Sequence, residues 1–188
     1  MSVEISETCS RSAALPGRKA SIVASELFLF CRDLRGTVTD AVVAATGRAL
    51  AAHPEVGCAL LPTGTGVGVA VDTDGGVIVP VVRNATDAQL PQVRAEVTRL
   101  VDAAREGRLS PADLGGAAVT VYDSVSGAGT VGVDGPAGCI LAVDRPEDDS
   151  LNLTLALTVD DSEVGGEEAD QFFATLVRLL QHPYRLLV

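Results

Sequence analysis

The chain has 188 residues, a formal net charge of −11, 47% hydrophobic residues and 3% aromatic residues. That length and apolar content suit a single folded domain with a core of Val, Leu, Ala and Ile, and they exclude wholesale disorder. The acidic balance argues against nucleic acid and anionic membrane surfaces as partners, because proteins bind both through Lys and Arg.

The four cysteines are widely spaced, and neither a CxxC pair nor a histidine at ligand spacing accompanies them. This pattern predicts reduced thiols and no metal site. No apolar run approaches the roughly 20 residues of a membrane span. Residues 1–30 also lack the uninterrupted apolar core of a signal peptide. The sequence therefore predicts a soluble, cytoplasmic protein.

The first part of the chain divides into a lead-in, a strand and a helix. A flexible arm is predicted over residues 1–20, which carry Ser, Gly and Pro without periodicity, and a single domain over residues 21–188. A strand is predicted over Ser21–Cys31, because this segment ends in a run of bulky apolar residues. A helix is predicted over Thr37–Ala52, with Thr39 placed to cap it.

The middle of the chain predicts a β-hairpin, an amphipathic helix and two short strands. The hairpin arms are Val67–Val71 and Val77–Val82, joined by a turn of Asp and Gly residues. Apolar residues recur on one helical face over Gln89–Glu106. Short apolar runs predict strands over Ala117–Tyr122 and Cys139–Val143.

The most informative stretch of the sequence is Leu153–Gly166. A buried strand runs without a turn residue into Asp160, Asp161, Glu163 and a glycine pair, and an amphipathic helix to about Gln181 follows at once. A strand that ends at a charged corner before a helix is a common position for the chemistry of an α/β protein. The alternative is a solvated strand end, whose acids are stabilised by the helix N-terminus by ~0.3–1 kcal/mol.

Several stretches of the sequence together resemble one family. Residues 67–85 are VGVAVDTDGGVIVPVVRNA, residues 105–121 are REGRLSPADLGGAAVTV, and residues 155–187 are LALTVDDSEVGGEEADQFFATLVRLLQHPYRLL. With TVTDAVVAATGRALAAHPEVGCALL at residues 37–61 and CILAV at residues 139–143, they resemble the catalytic domain of the 2-oxoacid dehydrogenase dihydrolipoyl acyltransferases. The resemblance covers most of Thr37–Val188.

The resemblance implies a two-layer α/β fold, in which a chloramphenicol acetyltransferase-like mixed sheet packs against helices. It implies a homotrimer with the acyl-transfer channel between subunits, and no covalently bound cofactor. The donor would be acyl-CoA or another acyl thioester, and the acceptor a small molecule or a carrier. The family's signature is His-x-x-x-Asp-Gly after the last strand. Its His is the general base, its Asp orders the local network, and a Ser or Thr elsewhere steadies the oxyanion.

This chain departs from the signature at named positions. Asp161 stands where the family has its histidine and Gly165 where it has its aspartate, while Gly166 is kept. Tyr122 stands at the hydroxyl position, with Ser124 two residues on. The resemblance thus implies a site without metal, with the catalytic candidates Asp161, Asp160, Tyr122 and Ser124 and the substrate-binding candidates Glu163, Gly165, Gly166 and Ser126.

Three functions remain open on the sequence alone. An acyltransferase with a rebuilt site would use Asp160 and Asp161, whose like charges raise each other's pKa towards the range of a general base. A catalytically inactive relative, kept as a trimeric scaffold or binding protein, would explain the loss of the base, its partner and the hydroxyl together. A small-molecule binder would use the inherited channel for another chemistry. The two histidines, His53 and His182, are expected to be structural residues at helix ends.

Overall fold

The computed structural model describes residues 17–60, 66–124, 139–144, 151–159 and 163–187. These residues form eight strands, five α-helices and two short 3-10 helices. In order they are β1 (Gly17–Val23), α1 (Ser25–Asp33), α2 (Val38–Ala52), α3 (Pro54–Leu60), β2 (Gly66–Val69), β3 (Val71–Thr73), β4 (Gly76–Ile78), β5 (Val81–Val82), α4 (Leu90–Arg105), β6 (Ala117–Ser124), β7 (Cys139–Asp144), β8 (Asn152–Val159) and α5 (Gly166–Gln181), with short 3-10 helices at Pro111–Asp113 and Pro183–Leu187.

Six strands form one mixed sheet in the order β1-β8-β7-β6-β2-β5, and β3 and β4 form a separate hairpin. The pairs β2–β6 and β6–β7 are parallel, and the other neighbours are antiparallel. Along β8 buried residues alternate with half-buried ones, as expected for a strand with one well-covered face. The helices α2 and α5 pack against the sheet. The predicted two-layer α/β architecture is therefore confirmed.

The last helix carries the apolar face that its sequence predicts. Its inward side chains are all at most 2% exposed: Ala169, Phe172, Phe173, Leu176, Val177 and Leu180. The helix α2 is buried on nearly every side and approaches the segment after β5 so closely that a Cβ at Gly47 would collide with the carbonyl of Ala85. None of the helices in the described ranges is long and apolar enough to cross a membrane.

The predicted strand over Ser21–Cys31 is wrong beyond Val23. The run that suggested a strand instead forms α1, because Leu27, Phe30 and Cys31 follow helical spacing and share one buried face. The strand β1 begins at Gly17, so residues 17–20 of the predicted arm are paired with β8. Residues 1–16 lie outside the described ranges, and the division into an arm and a single domain stays a prediction.

The cap of α2 also differs from the prediction, although the helix itself is confirmed. The N-cap is Thr37, whose Oγ1 accepts from the Asp40 amide at 3.1 Å, while Asp40 Oδ2 accepts from the Thr37 amide at 2.7 Å. This reciprocal capping box fixes the start of the helix. Thr39, the predicted cap, instead donates a hydrogen bond to Asp123.

The predicted hairpin is confirmed in part. Only β3 and β4 pair as a hairpin around its Asp-Gly turn. The outer halves of the predicted arms, β2 and β5, pair with each other inside the main sheet. The paired part of the hairpin, β3 and β4, therefore forms a two-stranded sheet of its own instead of two full-length arms.

Candidate active site

The sequence candidates fall at two opposite ends of the sheet. The strand β6 ends at Ser124, which is in register with Asp144 and, through it, with Thr154 near the start of β8. The strand β8 ends at Val159, which is in register with Cys139 at the start of β7. We call these the β6 end and the β8 end of the sheet.

The strand register measures how far apart the two ends are. Tyr122 is in register with Ala142, which is paired with Ala156. At about 3.3 Å per residue, the row of Tyr122 lies about 10 Å short of Val159, and the row of Ser124 about 17 Å short of it. Within one chain, the sheet does not bring these two residues to the end of β8.

The two aspartates that the sequence nominates as bases follow Val159 in the chain. Asp160 and Asp161 lie outside the described residues, as does Ser126. Their catalytic and substrate-binding roles therefore stay predictions. The described part of the β8 end begins again at Glu163.

At the β8 end the chain enters α5 through the glycine pair. Gly165 is the N-cap and Gly166 the first helical residue, while Glu163 is exposed. The carboxylate of Glu168 lies in the space that a Cβ at Gly165 would occupy. The Glu168 side chain therefore lies next to Gly165, which stands at the position of the family's aspartate.

A buried arginine joins the sheet to this turn. Arg18, in register with Leu157 of β8, is 9% exposed. Its Nη2 donates to the carbonyl oxygen of Gly166 at 2.9 Å, and its Nε donates to Asp170 Oδ1. The sequence gives no local signal for this contact, because Arg18 and Asp170 are 152 residues apart.

The thiol of Cys139 lies close to the same arginine and is only 1% exposed. Burial raises the pKa of the Cys139 thiol to about 12, and the positive charge of Arg18 opposes the rise without cancelling it. A thiol held protonated in this way is a poor nucleophile. Cys139 is therefore a structural residue of the β8 end.

The β6 end carries a half-buried tyrosine and a part-buried hydrogen bond. Tyr122 lies on the sheet face opposite the helices, and its neighbour Asp123 points towards them. Thr39 Oγ1, in the first turn of α2, donates to Asp123 Oδ2 at 2.5 Å. The sequence prediction missed Asp123 as a site neighbour, although it directly follows Tyr122.

Both histidines lie at helix ends, as the sequence predicts. His53 is the C-cap residue of α2, and its Nε2 lies 2.9 Å from Thr175 Oγ1 of α5. His182 is the C-cap residue of α5 and is exposed. Neither residue belongs to the β6 end or the β8 end.

One groove in the described residues lies away from both ends. It has a volume of about 840 Å³ and runs between β5, α4 and the Pro111–Asp113 turn. Three of its charged side chains are paired with one another, because Arg99 donates to Glu96 at 2.7 Å and to Asp113 at 2.6 Å. Hydrogen bonds from Ser110 and then Arg99 hold the pKa of Asp113 well below its usual range. Within the described ranges, no group of three or more His, Cys, Asp or Glu side chains is placed to hold a metal ion.

Solved structures share the architecture of this chain. The chain aligns with chloramphenicol acetyltransferase at a TM-score of 0.58 and 12% identity, over 87% of each chain, a likeness that concerns the fold alone. A closer structural likeness is to the dihydrolipoamide acetyltransferase of Azotobacter vinelandii. There the TM-score is 0.77 and the identity 27%, over 93% of this chain and 85% of that one. That structure concerns the role of a serine, a histidine and an asparagine in catalysis.

Residues 29–188 match the sequence profile of the 2-oxoacid dehydrogenases acyltransferase (catalytic domain) family, and the chain belongs to that family. One relative is the dihydrolipoyllysine-residue acetyltransferase component of the pyruvate dehydrogenase complex of Bacillus subtilis. It is 30% identical over 135 residues, which are 65% of this chain and 30% of that protein. The chain spans between 30% and 40% of the length of the curated relatives that it matches.

Proposed function

We propose that this chain transfers an acyl group from a coenzyme A-type thioester to a small-molecule or carrier-bound acceptor. The proposal also holds that it does so as a homotrimer, in which the β8 end of one copy faces the β6 end of the next. The observation that carries the proposal is the family match over residues 29–188. The whole-protein activities of the relatives are not transferred with it, because the match covers only part of their length.

In the proposed mechanism Asp161 takes the proton from the acceptor thiol or hydroxyl, and the adjacent like charge of Asp160 strengthens it as a base. The acceptor sulfur or oxygen attacks the thioester carbonyl carbon. Tyr122 of the partner subunit or Ser124 of the partner subunit donates a hydrogen bond to the carbonyl oxygen as negative charge develops there. The carbon–sulfur bond then breaks, and the leaving thiolate takes the proton back from Asp161.

The geometry of the sheet, together with this mechanism, supports the proposed homotrimer. The rows of Tyr122 and Ser124 lie about 10 Å and about 17 Å from the end of β8 within one chain, too far for groups that must contact one reacting carbonyl. Two copies arranged head to tail would place the β8 end of one copy against the β6 end of the next. A head-to-tail contact that closes into a ring gives cyclic symmetry, as in a trimer.

The test is acyl transfer by the full chain, followed as release of coenzyme A from acetyl-CoA or succinyl-CoA with dihydrolipoamide and simple alcohols as acceptors. Asp161→Asn is expected to lower kcat by about 100-fold or more. The double variant Tyr122→Phe with Ser124→Ala is expected to lose about as much, because the oxyanion loses its donors.

Co-expression of the two variants tests the shared site. A one-to-one mixture should recover about a quarter of the wild-type activity, because random assembly pairs an intact base with an intact donor at about one interface in four. No recovery from an active wild type would rule out a site shared between copies. A wild type that forms trimers but releases no coenzyme A would instead identify the inactive scaffold.

A further inference from the structure

The groove beside α4, described above, is lined by five charged side chains. Three of them are joined to one another, because Arg99 donates to both Glu96 and Asp113. The other two, Arg83 and Asp87, form no ion pair with each other or with any other side chain in the described ranges. One positive and one negative charge therefore line the same groove without an ionic partner.

Arg83 is held in place by backbone carbonyls instead of a carboxylate. Its Nε donates to the carbonyl oxygen of Ala112 at 2.8 Å, and its Nη2 donates to Ala112 at 2.6 Å and to Leu114 at 3.2 Å. These bonds fix the plane of the guanidinium and leave both N–H groups of Nη1 uncommitted. Because no carbonyl oxygen carries a full negative charge, Arg83 offers an oriented cation with two donors, which suits a carboxylate.

Asp87 is carried by the turn that leads from β5 into α4. The amides of Asp87 and Ala88 donate to the carbonyl oxygen of Asn84 at 3.2 Å and 2.9 Å, and these bonds hold the backbone of the turn. Asp87 is exposed, and its carboxylate accepts no hydrogen bond from another described residue. It is therefore a suitable partner for an ammonium group, which carries three donors and a positive charge.

The floor of the groove is apolar and adds a place for a hydrocarbon group. Aliphatic side chains from β5, from α4 and from the turn between them form it: Val81, Val82, Ala88 and Val93. The amide of Gln92 also lines the groove, and its Oε1 accepts from the Gln89 amide at 2.9 Å, which leaves its nitrogen as a further donor. With a volume of about 840 Å³, the groove is in the size range of small-molecule sites.

We propose that this groove is a binding site for an α-amino acid with an aliphatic side chain. The carboxylate of the ligand binds Arg83, its ammonium group binds Asp87, and its side chain lies on the apolar floor. Because the two residues are four positions apart in one turned segment, the charges of a single small molecule can contact both. A ligand with one charge leaves one of them unpaired and is repelled by the other. The site lies away from both ends of the sheet and does not depend on the proposed acyl transfer.

The experiment measures binding of L-leucine to the full chain by isothermal titration calorimetry, beside two single-charge analogues with the same hydrocarbon skeleton. The analogues are 4-methylpentanoate, which lacks the amine, and 3-methylbutylamine, which lacks the carboxylate. L-Leucine is expected to bind with a Kd of about 1 mM or tighter, and each analogue about tenfold or more weakly. The NMR signals of the Ala88 and Val93 methyl groups should shift on titration with L-leucine, which locates the site.

The variant Asp87→Asn tests the two charges separately. It should weaken binding of L-leucine about tenfold and strengthen binding of 4-methylpentanoate about threefold, because it removes the partner of the ammonium group and the repulsion of the carboxylate together. The matched control is Asp102→Asn, at an exposed acid of α4 that lies outside the lining of the groove. It should leave both affinities within about twofold, because solvent screens exposed charges at a distance.

Equal binding of L-leucine and either analogue would overturn the proposal, because one charge would then be sufficient. An Asp87→Asn variant that binds L-leucine like the wild type would overturn it as well, and so would methyl shifts confined to residues outside the groove. The absence of saturable binding at about ten times the expected Kd would also overturn it. None of these measurements uses acyl transfer, so failure of this site and failure of the proposed function are distinguished by which experiment fails.

Discussion

Each end of the sheet is tied to the start of a helix by one charged side chain, and the signs of the two charges differ. At the β6 end, Asp123 accepts a hydrogen bond from Thr39 in the first turn of α2. At the β8 end, Arg18 donates to the first turn of α5. An anion beside a helix N-terminus is favoured by the helix dipole, whereas a cation is opposed there.

The two contacts also differ in the charges that they bring together. The contact between Thr39 and Asp123 joins a carboxylate to a neutral hydroxyl. Arg18 instead pairs with the carboxylate of Asp170, so the β8 end holds opposite charges close together. Opposed charges around a turn are a common means of tuning a nearby titratable group.

The largest expected loss of unfolding free energy comes from a substitution in the hydrophobic core, which both ends of the sheet share. Phe172 is fully buried between α5 and the sheet. Phe172→Ala should lower the free energy of unfolding by about 3–5 kcal/mol, because it leaves a cavity that the sheet cannot close. Denaturant unfolding measures this loss. The matched control is Leu187→Ala, at a side chain that is 51% exposed, which should change stability by less than about 0.5 kcal/mol.

A smaller loss of unfolding free energy is expected when only the hydrogen bond between Thr39 and Asp123 at the β6 end is removed. Thr39→Ala removes the donor to a part-buried carboxylate and should cost about 1–3 kcal/mol of unfolding free energy. Its control is Ser21→Ala, which removes an exposed hydroxyl 3.2 Å from Thr154 Oγ1 and should cost about 0.5 kcal/mol or less. Equal losses in the two variants would contradict the structural role given to the contact between Thr39 and Asp123.

The smallest effect concerns the buried thiol at the β8 end. Burial raises the pKa of Cys139 to about 12, above the value of a thiol in the unfolded chain. The stability due to the protonated thiol is fully present below the unfolded pKa of about 8.5, and it is lost as pH rises from there towards the folded value. Between pH 8.5 and pH 9.5 the wild type should lose about 1 kcal/mol more than Cys139→Ala in denaturant unfolding. Identical slopes would show that the thiol titrates normally in the folded protein.

The sequence predicted those parts of the fold whose signal is local and periodic. The apolar face of α5 and the strand β8 could be recognised because their spacing matches a single element. The run Leu27–Phe30 misled, because four consecutive apolar residues fit a strand as well as a buried helix. Only the packing of α1 against α2 and α5 decides between them.

The candidate site was less predictable for a different reason. The signature could locate the turn before α5, but the residues that hold this turn come from the other end of the chain. Arg18 lies in a segment that the sequence marked in part as an arm, and its partner Asp170 lies in the last helix. Such a pair leaves no pattern in a single sequence, because it depends on the strand order of the finished sheet.

The sheet face opposite the helices also carries a side chain that can be labelled chemically. Lys19, the only lysine in the chain, lies exposed on β1 in the row that runs through Ala156 and Ala142 to Tyr122. A fluorophore coupled to its ε-amine would stand about 14 Å from Tyr122, three strand spacings across the sheet. Assembly of the chain could then be followed by fluorescence without placing a new reactive residue anywhere in the protein.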